Sequence, residues 1–193
     1  YPSLLDIFTQ SISQFADKTA FINMGKSISY RELDKLSKAF AAYLQKELGL
    51  KKGDAVAIMM PNLLQYPIVL MGVLRAGCTV VNVNPLYTPR ELQHQLSDSQ
   101  AKAIVIVENF AHTLASIEKQ VGLEHIILTK MGDMLGLVKG SIVNLVVKHI
   151  KKLVPAYSLN KTITFNDVLE KGQHLKYQKP DIIGDEIAFL QYS

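Results

Sequence analysis

The residues in this sequence whose types and spacing could do chemistry are the string Gly25-Lys26-Ser27, five histidines, one cysteine and a lysine-rich stretch after Met134. Gly-Lys-Ser is how a phosphate-binding loop ends, with backbone N–H groups and a lysine around phosphate oxygens. The first glycine of that pattern is replaced by Ala20, and the string lies between two short strand-like runs, Thr19–Asn23 and Ser27–Ser29. Met24-Gly25-Lys26 is therefore expected to be a hairpin turn. The turn Met60-Pro61-Asn62-Leu63 has no glycine to let a pyrophosphate reach the backbone, which argues against a dehydrogenase. His94, His112, His125, His149 and His174 are scattered, with no cysteine or carboxylate at metal-ligand spacing, so no metal site is indicated. His94 and Asp98 stand four apart and are expected to pair on a helix surface. No Ser, His and Asp arrangement can be assembled from sequence position, leaving a hydrolase unsupported. Cys78 has no partner for a disulfide and sits in an apolar run, as a buried structural thiol in a reducing, cytoplasmic setting would.

Charge adds one localised feature. The formal excess is +4, too small to argue for nucleic acid, and Lys139, Lys148, Lys151 and Lys152 account for all of it within an acid-free segment from Met134 to Pro155. At helical spacing Ser141, Asn144, Lys148, Lys151 and Lys152 fall on one side of this segment and Ile142, Val143, Val146, Ile150, Leu153 and Val154 on the other. The segment 134–155 thus reads as an amphipathic basic helix. Two readings fit it: the apolar face docks on the body of the protein, or the helix lies in a membrane interface with Lys148, Lys151 and Lys152 toward anionic head groups. No apolar run there approaches the roughly 18 to 20 residues needed to cross a bilayer. Gly132, Gly136 and Gly140 recur every four residues, which predicts a flexible or tightly packed helix entry.

The elements that must position such residues alternate between helix and strand. Leu4, Phe8, Ile12 and Phe15 share a helical face. Ser29-Tyr30-Arg31-Glu32 is a capping box opening a helix that stops at Gly49. Ala55–Met60 reads as a buried strand, Leu63–Ala76 as an apolar helix, and Val80, Val81 and Val83 as a second strand halted by Asn84-Pro85. Thr88-Pro89-Arg90-Glu91 is another capping box with proline preset at the first helical position. Further strands are expected over Ala103–Val107, His125–Thr129 and Ile187–Leu190, with a helix carrying Leu114, Ile117 and Val121 and a short one from Thr164 through Glu170. The alternation predicts an α/β fold with a largely parallel sheet flanked by helices. A chain of 193 residues, 48% of them hydrophobic, can bury one sizeable core.

Three strings then carry a resemblance. Ile28-Ser29-Tyr30-Arg31-Glu32-Leu33 resembles the first core motif of adenylate-forming enzymes, and Leu74-Arg75-Ala76-Gly77 through Asn84-Pro85 resembles their second. Asn82-Val83-Asn84-Pro85-Leu86-Tyr87-Thr88-Pro89-Arg90-Glu91-Leu92, preceded by Met60-Pro61-Asn62-Leu63-Leu64-Gln65-Tyr66-Pro67, is similar to bacterial long-chain fatty-acid–CoA ligases in particular. The resemblance covers essentially the whole chain. It implies activation of a long-chain fatty acid by ATP and Mg2+ to an acyl-adenylate, followed by transfer to coenzyme A.

In that family the triphosphate is held by a Ser/Thr/Gly-rich loop that begins where a strand ends, and Tyr192 and Ser193 match its first two residues. They are the cofactor-binding candidates. The resemblance further implies that residues 1–193 are an incomplete N-terminal portion of the large domain, with the rest of the phosphate loop and the catalytic lysine beyond it. Neither catalysis nor tight cofactor binding is expected of this portion alone. The competing class is a non-catalytic α/β module for homodimerisation or for peripheral docking on the inner face of a membrane.

Overall fold

The computed structural model describes residues 3–192. Its centre is a pair of neighbouring parallel strands, β3 (Ala55–Met59) and β5 (Ala103–Val107), in which every residue is buried. Successive strand side chains point to opposite faces, so such runs need cover on both sides. Val56, Ile58, Val105 and Val107 enter one core, whereas Ala57, Met59, Ile104 and Ile106 enter the other. The parallel sheet has six strands in the order β7 (Thr162–Thr164), β6 (His125–Thr129), β5, β3, β4 (Thr79–Asn82), β8 (Phe189–Leu190).

Helices α1 (Leu4–Phe15), α2 (Tyr30–Lys46), α3 (Gln65–Arg75) and α7 (Phe165–Gly172) contribute to the first core. Helices α4 (Pro89–Asp98) and α5 (Ala111–Ala115) close the second. A separate antiparallel hairpin, β1 (Thr19–Asn23) and β2 (Lys26–Ser29), turns through Met24 and Gly25, whose φ angles of 50° and 73° are what a tight hairpin turn requires. Both expected capping boxes form: Ser29 with Glu32 opens α2, and Thr88 with Glu91 opens α4 behind Pro89.

On the first face the helices approach closely. A Cβ added at Gly72 of α3 would lie 2.7 Å from the Phe40 ring of α2, and one added at Gly172 of α7 would lie 2.1 Å from the Ala39 carbonyl oxygen. Arg75, at the end of α3, reaches across to α2, where its Nε donates to Ser37 Oγ at 3.1 Å and its Nη2 pairs with Asp34 Oδ1 at 2.5 Å. Its guanidinium also lies over the Phe8 ring, 5.1 Å from the centroid. A charge this buried is tolerated because it is paired and hydrogen-bonded.

The elements differ from the sequence expectation in four places. The helix expected around Leu114, Ile117 and Val121 is only α5, flanked by 3-10 turns at Glu108–Phe110 and Glu118–Gln120, and Val121 is already extended. Strand β7 was not expected, being three residues without enough length to show an alternation. The last strand is limited to Phe189–Leu190, because only that part of the run pairs with β4.

The fourth difference concerns the basic segment. In place of 134–155, helix α6 covers Leu137–Leu145 and continues as a π-helical turn over Val146–Ile150. Gly136, with φ 85°, sets its start, and Lys152, with φ 52°, turns the chain out of it. Its closest contacts with the body are made by glycine and asparagine. Gly140 is buried against Gly132, so that a Cβ added at Gly132 would lie 2.3 Å from the Gly140 carbonyl oxygen and one added at Gly140 would lie 2.4 Å from that of Gly132, and Gly132 N–H donates to Asn144 Oδ1 at 2.7 Å. The glycine spacing thus serves tight packing. Val138, Ile142 and Leu145 face away from the body, 76%, 58% and 55% exposed, while Val143, Val146 and Val154 are partly covered, so the expected apolar face docks only in part.

Alanine normally stabilises a helix relative to glycine by about 0.5–1 kcal/mol, but at position 172 its methyl meets backbone. Gly172→Ala is expected to lower the unfolding free energy by about 1–3 kcal/mol, the usual cost of overpacking. Urea denaturation followed by circular dichroism measures it, and a variant at least as stable as the parent would refute the α2–α7 contact.

Candidate functional site

The connections that leave β3 and β4 part to opposite faces of the sheet, α3 joining the first core and α4 the second. Diverging connections open a crevice at the carboxyl ends of parallel strands, which is where ligands bind in open α/β sheets. Here the crevice has a volume of about 450 Å³ and is lined by Met60 and Asn62 after β3, Asn82, Val83, Asn84 and Tyr87 at the end of β4, Tyr66 on α3, and Gln191 and Tyr192 after β8.

Local sequence explains how each side chain comes to be there. Proline at 85 cannot continue the ladder, and Asn84 makes the turn, its Oδ1 accepting from Leu86 N–H at 3.0 Å and its carbonyl from Tyr87 N–H at 3.1 Å. The Thr88 capping box then starts α4 at once, aiming Gln95 back at the strand it has just left. Gln95 Nε2 donates to the Asn82 carbonyl at 2.8 Å, and Tyr66 Oη donates to Asn82 Oδ1 at 2.9 Å. Burial raises the Tyr66 phenol above its ordinary range, with the Asn82 bond pulling the other way. The hairpin closes one rim, where Asn23 Nδ2 donates to the Asn62 carbonyl at 3.0 Å. Among the described residues, Gln95 Oε1 and Asn109 Oδ1 are buried without a hydrogen-bond partner.

Of the expected cofactor-binding pair, Ser193 lies outside the described residues. Tyr192 does reach the crevice, but its hydroxyl is engaged, donating to Asp98 Oδ2 at the end of α4 at 2.7 Å. Burial raises this phenol, and the Asp98 carboxylate raises it further. The same bond corrects the expected pairing of Asp98 with His94, since the Asp98 carboxylate turns to Tyr192 and His94 is left exposed. Lys148, Lys151 and Lys152 are exposed and take no part in the crevice. Tyr66, Asn82 and Gln95 are site residues that sequence reasoning missed, although polar residues interrupting apolar runs were a signal that could have found them.

A triphosphate needs cationic or N–H-rich surroundings, and the lining consists of amides, phenols and apolar groups without lysine or arginine. By themselves these residues do not fit ATP. Among the described residues no cluster of His, Cys, Asp or Glu could hold a metal ion either.

A parallel sheet covered on both faces, with a crevice over its central carboxyl ends, defines an open α/β domain, and residues 8–193 match the AMP-binding enzyme family. The chain belongs to that family. It is 58% identical over all 193 residues to the long-chain-fatty-acid–CoA ligase of Escherichia coli O6:H1 and 60% identical over the same length to that of Yersinia pestis, spanning 34% of each. The chain therefore covers about a third of the length of these curated relatives. A crystal structure of an anthranilate CoA ligase in complex with anthranoyl-AMP superposes with a TM-score of 0.74 over 100% of this chain and 31% of that one; at 20% identity the likeness speaks for the fold alone.

The remaining candidate, Cys78, is buried beside the Lys51 carbonyl, and desolvation with help from the Asp54 charge pushes its thiol from 9.0 to about 12. It is a structural group and not a nucleophile. The folded-state value lies above the unfolded one, so its contribution to stability is whole below about pH 9 and is lost as pH rises through the folded value. Cys78→Ala is accordingly expected to flatten the loss of stability between about pH 9 and 12, by up to ~1.4 kcal/mol for each pH unit. Urea midpoints across that range test this, and parallel slopes for parent and variant would refute it.

Proposed function

We propose that the chain is the N-terminal portion of a long-chain fatty-acid–CoA ligase. The observation that carries this reading is identity of 53–60%, sustained over all 193 residues, to ligases of that name from several bacteria. In the reaction it implies, a fatty carboxylate oxygen attacks the α-phosphorus of ATP, pyrophosphate leaves, and the thiol of coenzyme A then displaces AMP from the acyl-adenylate. ATP, Mg2+ and coenzyme A are the cofactors of the longer protein on this reading, and a long-chain fatty acid is its substrate.

The residues of this chain contribute position. Strand β8 delivers Tyr192 to the crevice, and the Tyr192–Asp98 bond ties the phenol to the end of α4. Catalysis by electrostatic stabilisation requires donors or cations placed where phosphate charge develops. The amide and phenol lining of the crevice supports assigning those groups to the remainder of the longer protein, as does the 34% span.

The purified 193-residue chain is expected to give no fatty-acid-dependent ATP–pyrophosphate exchange, and the chain extended to the full length of its relatives is expected to give it with a long-chain acid. Exchange by the short chain would overturn the assignment of the catalytic groups. Absence of exchange with every fatty acid by the folded extended protein would overturn the ligase reading itself.

A further inference from the structure

We propose that α6, with its π-helical turn and the adjoining hairpin turn, is a docking surface for an anionic lipid bilayer. The observation behind this is that α6 keeps a ridge of large apolar side chains in solvent, while Val143, Val146 and Val147 are partly covered. Its body-facing side carries Gly140 and Asn144, fixed to the Gly132 backbone, and its outward ridge carries Val138, Ile142 and Leu145 at i, i+4 and i+7. Leu137, Ile150 and Leu153 extend the exposed apolar surface at 91%, 65% and 56%.

Charge selects the occupant. From Met134 to Asn166 the sequence contains lysines but neither Asp nor Glu, and Lys139, Lys148, Lys151 and Lys152 are all exposed. The nearest preceding carboxylate, Asp133, is turned inward: its Oδ2 accepts from Thr129 Oγ1 at 3.0 Å and from Lys130 N–H at 2.7 Å. The lysines thus keep their charge for something outside the chain. Lysine stems can lie along apolar surface while their ammonium groups reach the head groups, so an apolar ridge with lysines beside it suits a bilayer interface. Lys139 also donates to the Met24 carbonyl, holding the hairpin turn, with Met24 and Ile22 46% and 72% exposed, beside the start of the helix.

The orientation follows from length. The nine residues of α6 and the five of its π-helical turn rise about 1.5 Å each or less, well short of the roughly 30 Å hydrocarbon core, so the helix lies in the plane of the interface. Among the described residues no helix is long and apolar enough to cross a membrane.

The chain contains no tryptophan, so Leu145→Trp places a single indole on the ridge. With phosphatidylcholine vesicles containing phosphatidylglycerol, its emission is expected to shift to the blue and the chain to co-sediment, and with pure phosphatidylcholine both effects are expected to be much weaker. An anionic surface contributes roughly fivefold in partitioning per nearby lysine, so Lys148→Gln, Lys151→Gln and Lys152→Gln together are expected to weaken co-sedimentation about 100-fold. Ile142→Asn with Leu145→Asn, both at exposed positions, is expected to abolish the part that survives high salt while leaving the circular dichroism spectrum unchanged. No blue shift on anionic vesicles at low salt, or binding indifferent to both sets of substitutions, would overturn the proposal. So would the full-length protein carrying Leu145→Trp if its emission were already blue-shifted without lipid and unmoved by vesicles, for then another part of that protein covers the ridge. These readouts do not depend on the ligase reading, which stands or falls by pyrophosphate exchange.

Discussion

Two adjacent strands with no exposed face constrain the rest of this structure. Every side chain of β3 and β5 is buried, five residues each, so their backbone groups must be satisfied by neighbouring strands and both faces must be covered by helices. Parallel strands leave the sheet at one edge and re-enter at the other, which forces a helical crossover at each step. The cover is tight. Gly72 against Phe40 and Gly172 against the Ala39 carbonyl let α2, α3 and α7 approach closely, and Arg75 joins α3 to α2 through Asp34 and Ser37 in a position where an unpaired charge would be costly.

The same constraint concentrates polarity at the strand ends. Polar side chains meet at the carboxyl end of β4, where Tyr66 of α3 and Gln95 of α4 converge on Asn82 through two hydrogen bonds. Gln95 Oε1 remains buried without a partner there, an expense of order 1–3 kcal/mol that a fully satisfied core would avoid. Tyr192 is drawn into the same region by β8 and held by Asp98. This chain of the AMP-binding enzyme family therefore presents a crevice lined by amides, phenols and apolar groups, without lysine or arginine.

Helix α6 obeys a different logic. Its closest contact with the body is backbone on backbone at Gly132 and Gly140, completed by the Asn144 amide, which leaves Leu137, Val138, Ile142, Leu145 and Ile150 largely exposed. Burying three or four such side chains is worth roughly 1.5–3 kcal/mol each, so leaving them exposed is a substantial opportunity cost unless some surface receives them.

Local chemistry was readable in the sequence. The two capping boxes, the Met24-Gly25 turn, the Asn84-Pro85 stop, the apolar strands and the parallel α/β class all depend on residues within a few positions of one another, and all appear as expected. The family could be recognised for the same reason, since its motifs are short contiguous strings. What depends on distant partners could not be read. That Asp98 binds Tyr192 and not His94, that Asn82 gathers Tyr66 and Gln95, and that three residues at Thr162–Thr164 complete the sheet edge are decided by the order in which strands pair. The amphipathic pattern of α6 was visible in the sequence, but which side faced inward was not: periodicity shows that a helix has two faces, and only the close fit of Gly140 and Asn144 onto Gly132 decides which of them is buried.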